Sequence, residues 1–152
     1  MAADNRALYA GVADINVPAA RAKPGLNAID IATGELLWST PASTEPCSFQ
    51  GRCAHGVSAP PTVIPGVVFT GAQDGRLRAY STADGKVLWE FDAIAQTYDT
   101  VNGVKGQRGG SFDGPGPIVA GDTMYVMSGF AGASGVVNNP LNVLLAFSVD
   151  GQ

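Results

Sequence analysis

The chain has 152 residues, of which 45% are hydrophobic and 14% charged, and its formal net charge at pH 7 is −4. This composition supports a buried core, whereas the negative charge and the lack of lysine or arginine runs exclude a nucleic-acid or anionic-membrane surface. Glycine, proline or a charge interrupts every apolar run before the ~20 residues that a membrane span needs.

The 20 glycines and 10 prolines are spread along the chain, as is typical of short strands joined by frequent turns. Strand-like segments recur in a fixed order, and the best-matched copies lie 51 residues apart. In chain order the recurring segments are 8–11, 27–38, 60–64, 67–71, 78–89, 115–119, 125–129 and a shorter last copy at 145–151. A repeat of about this period, with four strands in its complete copy, is typical of a β-propeller blade.

We therefore predict an all-β chain that forms a partial β-propeller of about three four-stranded antiparallel blades. Within a single domain, 1–152, the blades are expected at approximately 7–41, 59–92 and 115–152. The first blade is expected to lack its innermost strand and the last its outermost, which leaves about ten strands. Because a closed ring needs at least ~4 blades, the end sheets should expose apolar faces to the remaining blades or to a second copy. We expect a truncated product or an assembling fragment.

Successive connections between antiparallel strands lie on opposite faces of a propeller, so counting strands assigns each loop to a face. One face carries short turns, and the other carries the long connections 15–25, 42–58, 93–114 and 131–140 with the short turn 73–75. Ligand contacts concentrate in loops that a rigid scaffold holds, so this long-loop face is the candidate functional face. The alternative is a face that merely tolerates insertions.

Cys47 and Cys53, the only cysteines, share a long connection with His55, the only histidine. We predict a disulfide, which indicates an oxidising compartment; reduced thiols in a cytosolic loop are the alternative. The spacing is wrong for haem attachment, so no haem is expected in this fragment, and these residues are too few for structural zinc. For His55 a solvated loop position is expected ahead of catalysis or metal binding. Hydrolase chemistry is unsupported, because no Gly-x-Ser-x-Gly elbow accompanies this histidine.

The glycine-rich segment 98–114 contains a candidate anion site. Successive amides at Gly109, Gly110 and Ser111 would form a nest, with Arg108 as a guanidinium fork for a carboxylate. A flexible surface loop is an equally supported interpretation, because such loops are commonly rich in glycine.

Two further sets of residues are interpreted as structural. Trp38 and Trp89 end equivalent strands, which indicates packing between neighbouring blades. Five carboxylates lie where turn chemistry favours aspartate, namely Asp30, Asp74, Asp84, Asp113 and Asp122.

The segments 28–38 (AIDIATGELLW), 74–80 (DGRLRAY) and 85–92 (GKVLWEFD) resemble the pyrroloquinoline quinone (PQQ) propeller repeat. The stretch 100–117 more narrowly resembles the carboxy-terminal blades of polyvinyl alcohol dehydrogenase-like quinoproteins, and the resemblance covers nearly the whole chain. It implies a periplasmic or secreted enzyme that oxidises a small or polymeric alcohol by hydride transfer to PQQ, with Ca²⁺ beside the quinone and cytochrome c as electron acceptor. The first residues lack the pattern of an export signal, so such a signal is expected to have been removed or to lie upstream.

Three departures from the family limit which site residues are carried over. Related alcohol dehydrogenases place a lysine over the quinone just before an Asn-Gly or Asp-Gly turn, and Gln73 occupies that position here. The segment that bears the family's general-base aspartate is absent, so the catalytic residue is unknown and is expected in other blades. In several relatives a tryptophan follows this pair of glycines, but none follows Gly109 and Gly110 here. The resemblance thus implies a cofactor site bordered by Gln73, Arg108, Gly109, Gly110 and Ser111, with no metal ligand in this chain.

Other functions stay open at this point. A propeller of the same repeat that is not an enzyme would act as a periplasmic scaffold, such as an outer-membrane assembly factor, or as a sensor, and bind a protein through the long-loop face. A lectin-like sugar site would need exposed loop aromatics, for which the candidates are Phe49, Tyr98, Phe112 and Phe130. As a quinoprotein fragment the chain is expected to be inactive alone, because a cofactor at the hub needs loops from every blade.

Overall fold

The computed structural model describes residues 1–48, 53–129 and 142–149. Within these ranges every regular element is a β-strand, and no helix there is long and apolar enough to cross a membrane. The strands are β1 (Ala2–Ala3), β2 (Ala7–Val12), β3 (Gly25–Asp30), β4 (Leu36–Pro41), β5 (Thr62–Ile64), β6 (Val67–Gly71), β7 (Arg76–Ser81), β8 (Val87–Asp92), β9 (Thr97–Tyr98), β10 (Gln107–Arg108), β11 (Ile118–Ala120), β12 (Thr123–Ser128) and β13 (Val143–Ser148).

The strands form three successive antiparallel sheets and one small hairpin. The first sheet has the order β1-β2-β3-β4, the second β5-β6-β7-β8 and the third β11-β12-β13, while β9 pairs with β10. This arrangement confirms an all-β partial propeller. The long connection 131–140 and the end of the last repeat, 150–152, lie outside the described residues.

The strand count differs from the sequence prediction in two places. The innermost strand of the first blade, expected to be missing, is present as the two-residue strand β1, in which Ala2 pairs with Tyr9. The hairpin of β9 and β10 was not predicted, and it lies inside the glycine-rich segment. Both elements are too short to show alternation of apolar and polar residues, which is the signal that reveals a strand in a sequence.

Equivalent turns join the third and fourth strands of the first two sheets. Gly34 and Gly85 have φ angles of 75° and 72°, a left-handed conformation that glycine adopts without steric cost. In both sheets the register shifts close to the turn, between Ala28 and Ile29 in one and between Ala79 and Tyr80 in the other. The sequence repeat therefore extends to the backbone irregularities of the first two blades.

The middle strands of the second sheet, β6 and β7, are buried, because one apolar cluster lies on either side of them. The cluster shared with the first sheet comprises Ala7, Tyr9, Leu26, Ala28, Val68 and Tyr80. The cluster on the side of the third sheet comprises Ala59, Leu77, Ala93, Phe112, Met124, Val126, Val143 and Leu145. Burial, together with the neighbouring Asp4 carboxylate, raises the pKa of Tyr9 to about 12, so this phenol stays neutral inside the first cluster.

The two tryptophans pack between neighbouring sheets, as predicted. The Trp38 indole donates Nε1–H to the Thr82 carbonyl at 3.0 Å. A Cβ atom on Gly85 would lie 2.4 Å from Trp38 Cε3, so the ring rests directly on the glycine of the next sheet's turn. Trp89 meets Phe147 of the third sheet edge-on, with ring centroids 5.4 Å apart. Each tryptophan therefore joins its own sheet to the next one.

The outer face of the third sheet is apolar and exposed. Ile118 and Tyr125 are paired neighbours across β11 and β12, and Met127 and Leu144 are paired neighbours across β12 and β13. These four side chains are 63%, 41%, 37% and 66% exposed in that order. An end sheet with an exposed apolar face was predicted from the unclosed ring, and the third sheet has such a face.

Candidate functional site

The long-loop face contains a cavity of about 350 Å³ where three connections meet. One wall is the β2–β3 connection, 13–24, and the other walls are the segment that ends at Gly56 and the side chain of Gln73. Main-chain hydrogen bonds hold the walls together: the Gln73 amide donates to the Gly56 carbonyl at 2.9 Å, and the Val57 amide donates to the Val12 carbonyl at 3.2 Å. The cavity is therefore part of the folded scaffold.

A buried ion-pair network lies beside this cavity. Asp74 is fully buried, and its carboxylate accepts a hydrogen bond from Arg78 Nη2 at 2.7 Å and another from the Arg76 amide at 3.0 Å. Arg78 Nε also donates to Glu90 Oε2 at 2.6 Å. Burial opposes the charge of Arg78, but the Asp74 carboxylate raises the pKa of this guanidinium above its ordinary value. Asp74 therefore has a turn role, as predicted, and a second role as the counter-ion of a core arginine.

His55 lies between this network and the cavity. Its Nδ1 atom is buried without a hydrogen-bond partner and lies 3.7 Å from Asp74 Oδ2, while its Nε2 atom lies 3.2 Å from Cys53 Sγ. The side chain is 23% exposed, so the solvated loop position expected from the sequence is wrong. The reason is that the connection folds back over the second sheet, a long-range contact that local sequence does not encode.

The predicted disulfide between Cys47 and Cys53 is present. Arg76 anchors the segment before it, because Nη2 donates to the Pro46 carbonyl at 3.3 Å and Nη1 lies 3.1 Å from Glu45 Oε2. The two sulfur atoms and a ring nitrogen of His55 lie within 4.8 Å of one another. Because the disulfide leaves no thiolate, this group does not form a thiolate metal site.

The predicted nest at Gly109, Gly110 and Ser111 lies in a buried segment between the second and third sheets. Neither glycine has a positive φ, so the alternating backbone handedness of a nest is not present. The Gly110 amide donates instead to Ser128 Oγ at 3.0 Å, and the Ser111 hydroxyl donates to the Gln73 carbonyl. These contacts connect the segment with the cavity wall at Gln73, and they give it a structural role.

Other predicted site residues have different surroundings. Arg108 is exposed and pairs with Thr97 in the β9–β10 hairpin, whereas Gln73 is buried and its Nε2 lies 3.4 Å from Asp113 Oδ1. The structure therefore brings Gln73 together with Ser111 but leaves Arg108 on the surface. Their role in cofactor binding stays a prediction.

The aromatic residues considered for a sugar site do not form a platform among the described residues. Phe112 is 1% exposed and belongs to the core, and Tyr98 is half-buried with its hydroxyl donated to the Ala93 carbonyl at 3.0 Å. Phe49 and Phe130 lie outside the described residues. The two candidates that the structure describes, Tyr98 and Phe112, therefore offer no exposed stacking surface of the kind that sugar-binding sites use.

The chain is similar to known proteins over most of its length. A family model described as PQQ_2, outer membrane protein assembly factor BamB, matches residues 5–140. The chain belongs to this family. It is 46% identical over 158 residues to a polyvinylalcohol dehydrogenase from Pseudomonas sp and 43% identical over 160 residues to one from Sphingopyxis sp. (strain 113P3). These matches cover 100% and 99% of this chain, which spans 24% of the length of each relative.

The solved quinohemoprotein alcohol dehydrogenase from Comamonas testosteroni has a similar fold, with a TM-score of 0.50 and 25% sequence identity. The match covers 70% of this chain and 14% of that one. The likeness therefore concerns a few blades of a much longer protein.

The charge of the side chains that line the cavity decides whether this PQQ_2-family chain could bind the quinone by itself. PQQ is a tricarboxylate, so its site requires cations. Among the described residues, neither lysine nor arginine lines the cavity beside Gln73, and the one carboxylate there, Asp14, would repel an anion. The cavity does not fit the quinone, and a quinone site would need loops from further repeats of the family.

Sequence reasoning missed the cavity and the ion-pair network, although one signal for the network is visible. Arg76 and Arg78 alternate along a strand that the repeat places in the middle of the molecule. Charged side chains in a sheet buried on both faces must be paired, so this pattern predicts facing carboxylates. The cavity leaves no such signal, because its walls come from connections far apart in the chain.

Proposed function

We propose that this chain is a section of a PQQ-dependent alcohol dehydrogenase of the polyvinyl alcohol dehydrogenase type. The observation that carries the proposal is the identity of 46% and 43% with two polyvinylalcohol dehydrogenases across the whole chain. When bound, the quinone would supply the acceptor for the hydride of the carbinol carbon, and a general base in another blade would take the hydroxyl proton, so that a secondary alcohol would become a ketone. The substrate is then a polymeric or small alcohol.

Within that enzyme the chain supplies part of the long-loop face. Gln73 and Ser111 are buried and in contact, and we assign them, with Gly109 and Gly110, to the border of the cofactor site, with Arg108 at its rim. Further blades provide the cations, the general base and the ligands of a calcium ion beside the quinone. Cytochrome c receives the electrons, and the disulfide suits an oxidising location in the periplasm or outside the cell.

A segment swap tests this proposal. This chain replaces the matching segment of the Pseudomonas sp polyvinylalcohol dehydrogenase, and PQQ and Ca²⁺ are added before dye-linked oxidation of polyvinyl alcohol and reduction of cytochrome c are measured. The expected result is activity within about tenfold of the unmodified relative, because most contacts to the quinone stay in place. The relative with the segment deleted is the inactive control. A folded chimera that binds no quinone and oxidises no alcohol would contradict the proposal.

The second candidate is a non-enzymatic scaffold, which the BamB description of the matching family model favours. In that case the long-loop face binds a protein and needs no cofactor. The same chimera separates the two functions, because a segment from a scaffold would fold in the relative without restoring quinone-dependent oxidation.

A further inference from the structure

The Cys53 sulfur, the His55 ring and the Asp74 carboxylate form a chain of contacts. Cys53 Sγ lies 3.2 Å from His55 Nε2, and Nδ1 of the same ring lies 3.7 Å from Asp74 Oδ2. The carboxylate is fully buried, while the ring is half-buried. A sulfur, an imidazole and a carboxylate in this order are the groups that activate a cysteine nucleophile, because the imidazole takes the thiol proton and the carboxylate orients the imidazole.

The surroundings of the His55 ring determine where it holds its proton. Nδ1 is buried without a hydrogen-bond partner, and the group it faces is the Asp74 carboxylate. A proton on Nδ1 makes this contact attractive, and separations of this size often shorten when catalytic groups become charged. Nε2 then directs its lone pair at Cys53 Sγ, which has no proton to donate while the disulfide is intact. The ring therefore holds an acceptor that a thiol at Cys53 would satisfy.

Reduction of the disulfide would give this acceptor its donor. The Cys53 thiol would transfer its proton to His55 Nε2, and the Asp74 carboxylate would stabilise the imidazolium from the other side of the ring. The thiolate is the form of cysteine that takes part in disulfide exchange. Because the 3.2 Å contact of the ring is with Cys53, the two sulfurs of the disulfide are not equivalent in reactivity.

The backbone on both sides of the cysteine pair is anchored, whereas the disulfide itself is open to an external reagent. Arg76 Nη2 donates to the Pro46 carbonyl at 3.3 Å, and the Gly56 carbonyl accepts the Gln73 amide at 2.9 Å. Pro46 is exposed and Cys47 is half-buried, which leaves the Cys47 side of the disulfide within reach of a thiol. These anchors keep the two sulfurs close to each other when the bond between them is broken.

From this geometry we infer that Cys47–Cys53 is a redox-active disulfide that exchanges with an external dithiol, with His55 as the acid–base group for Cys53 and Asp74 as the positioning residue. One thiol of the dithiol loses its proton to His55 Nε2 by way of solvent, and its thiolate attacks Cys47 Sγ. The disulfide breaks, the electron pair stays on Cys53, and Nε2 returns the proton to that sulfur. The second sulfur of the dithiol then attacks the first, and its proton goes to the released Cys47. The dithiol becomes a cyclic disulfide, and the chain gains two electrons and two protons. This activity needs no quinone, so it stands apart from the proposed function.

The rate at which dithiothreitol reduces the folded, oxidised chain tests the role of His55. Samples are quenched by alkylation and the reduced fraction is measured by mass spectrometry, after circular dichroism has shown that each variant is folded. His55→Asn should react at least about tenfold more slowly, as expected for a lost acid–base group. Val17→Asn places the same side chain at an exposed position of the same cavity wall and should react at the native rate. Equal rates for the native chain and His55→Asn would overturn the inference.

Two measurements on the native chain need no variant. Trypsin cleaves after Arg52, so Cys47 and Cys53 fall on separate peptides. With limiting iodoacetamide the reduced chain should be labelled at Cys53 about tenfold faster than at Cys47, and equal labelling would contradict activation by His55. A ¹⁵N NMR spectrum of the single histidine in the oxidised chain should show a proton on Nδ1. A proton on Nε2 alone would refute the positioning role of Asp74.

Discussion

Gly34 and Gly85 occupy equivalent turns in neighbouring sheets, but only Gly85 lies beneath a tryptophan. Both have positive φ, 75° and 72°, and both amides donate back to the end of the preceding strand. An added Cβ on Gly34 would meet nothing within 4 Å, whereas on Gly85 it would lie 2.4 Å from Trp38 Cε3. Alanine at the two positions therefore imposes the same backbone strain and differs in its effect on the contact between sheets.

The magnitudes follow from these contacts. Left-handed backbone costs a residue with a Cβ roughly 1–2 kcal/mol, so Gly34→Ala should lower the free energy of unfolding by about that amount. Gly85→Ala adds a steric cost of about 1–3 kcal/mol because the indole must move. Moving Trp38 also breaks its 3.0 Å hydrogen bond to the Thr82 carbonyl, which contributes about 1 kcal/mol. The second variant should therefore be less stable than the first by about 2–4 kcal/mol.

Equilibrium unfolding in urea, followed by tryptophan fluorescence with the disulfide intact, measures both losses. The expected outcome is a lower midpoint for Gly85→Ala than for Gly34→Ala at a similar slope. Equal losses would refute the argument, because they would show that the tryptophan contact contributes nothing to the stability of the stacked sheets.

Three further predictions concern charge and the exposed sheet face. Arg78→Met leaves the buried Asp74 carboxylate without its counter-ion and should lower the free energy of unfolding by about 3–5 kcal/mol. The control Arg108→Met, on the surface, should change it by less than about 0.5 kcal/mol. Urea unfolding compares the two variants, and equal effects would contradict the buried pairing. Hydrogen bonds from the Ser81 hydroxyl and the Lys86 amide lower the pKa of the Asp84 carboxyl below its ordinary value. The ionised Asp84 carboxylate stabilises the fold at pH values above the unfolded-state pKa, and this stabilisation is lost as the pH falls through the lower folded-state pKa. Asp84→Asn should therefore flatten the dependence of the melting temperature on pH below about pH 4. An unchanged profile would contradict this role of Asp84. Leu144→Glu places a charge on the outer face of the third sheet and should reduce self-association, as measured by sedimentation velocity. A native chain that is monomeric at high concentration would contradict burial of this face by a second copy.

The sequence repeat was sufficient to predict the longer strands, their order and the tryptophan contacts. The information is local and periodic: the turn glycines and the fourth-strand tryptophans recur at a fixed offset, and each copy needs its neighbour to cover its apolar face. The short strands β1 and β9–β10 were not predicted, because two-residue strands have no periodicity.

The candidate site was less accessible from the sequence. The Ser111 hydroxyl contacts the Gln73 carbonyl, but the place of these two residues in a cofactor site stays a prediction. The nest at Gly109 and Gly110 was wrong, since neither glycine has a positive φ. His55 was expected in solvent, and only the folded connection places it near Asp74. These features depend on contacts between segments far apart in the chain, which no repeat or motif specifies.

Binding of PQQ to the chimeric dehydrogenase tests the central claim most directly. A titration followed by quinone absorbance, with Ca²⁺ present, should give one quinone per chain at an affinity within about tenfold of the unmodified relative, since this section borders the site and the other blades are unchanged. A chimera with native circular dichroism that binds no quinone, while the unmodified relative does, would show that this section cannot form part of a quinoprotein site.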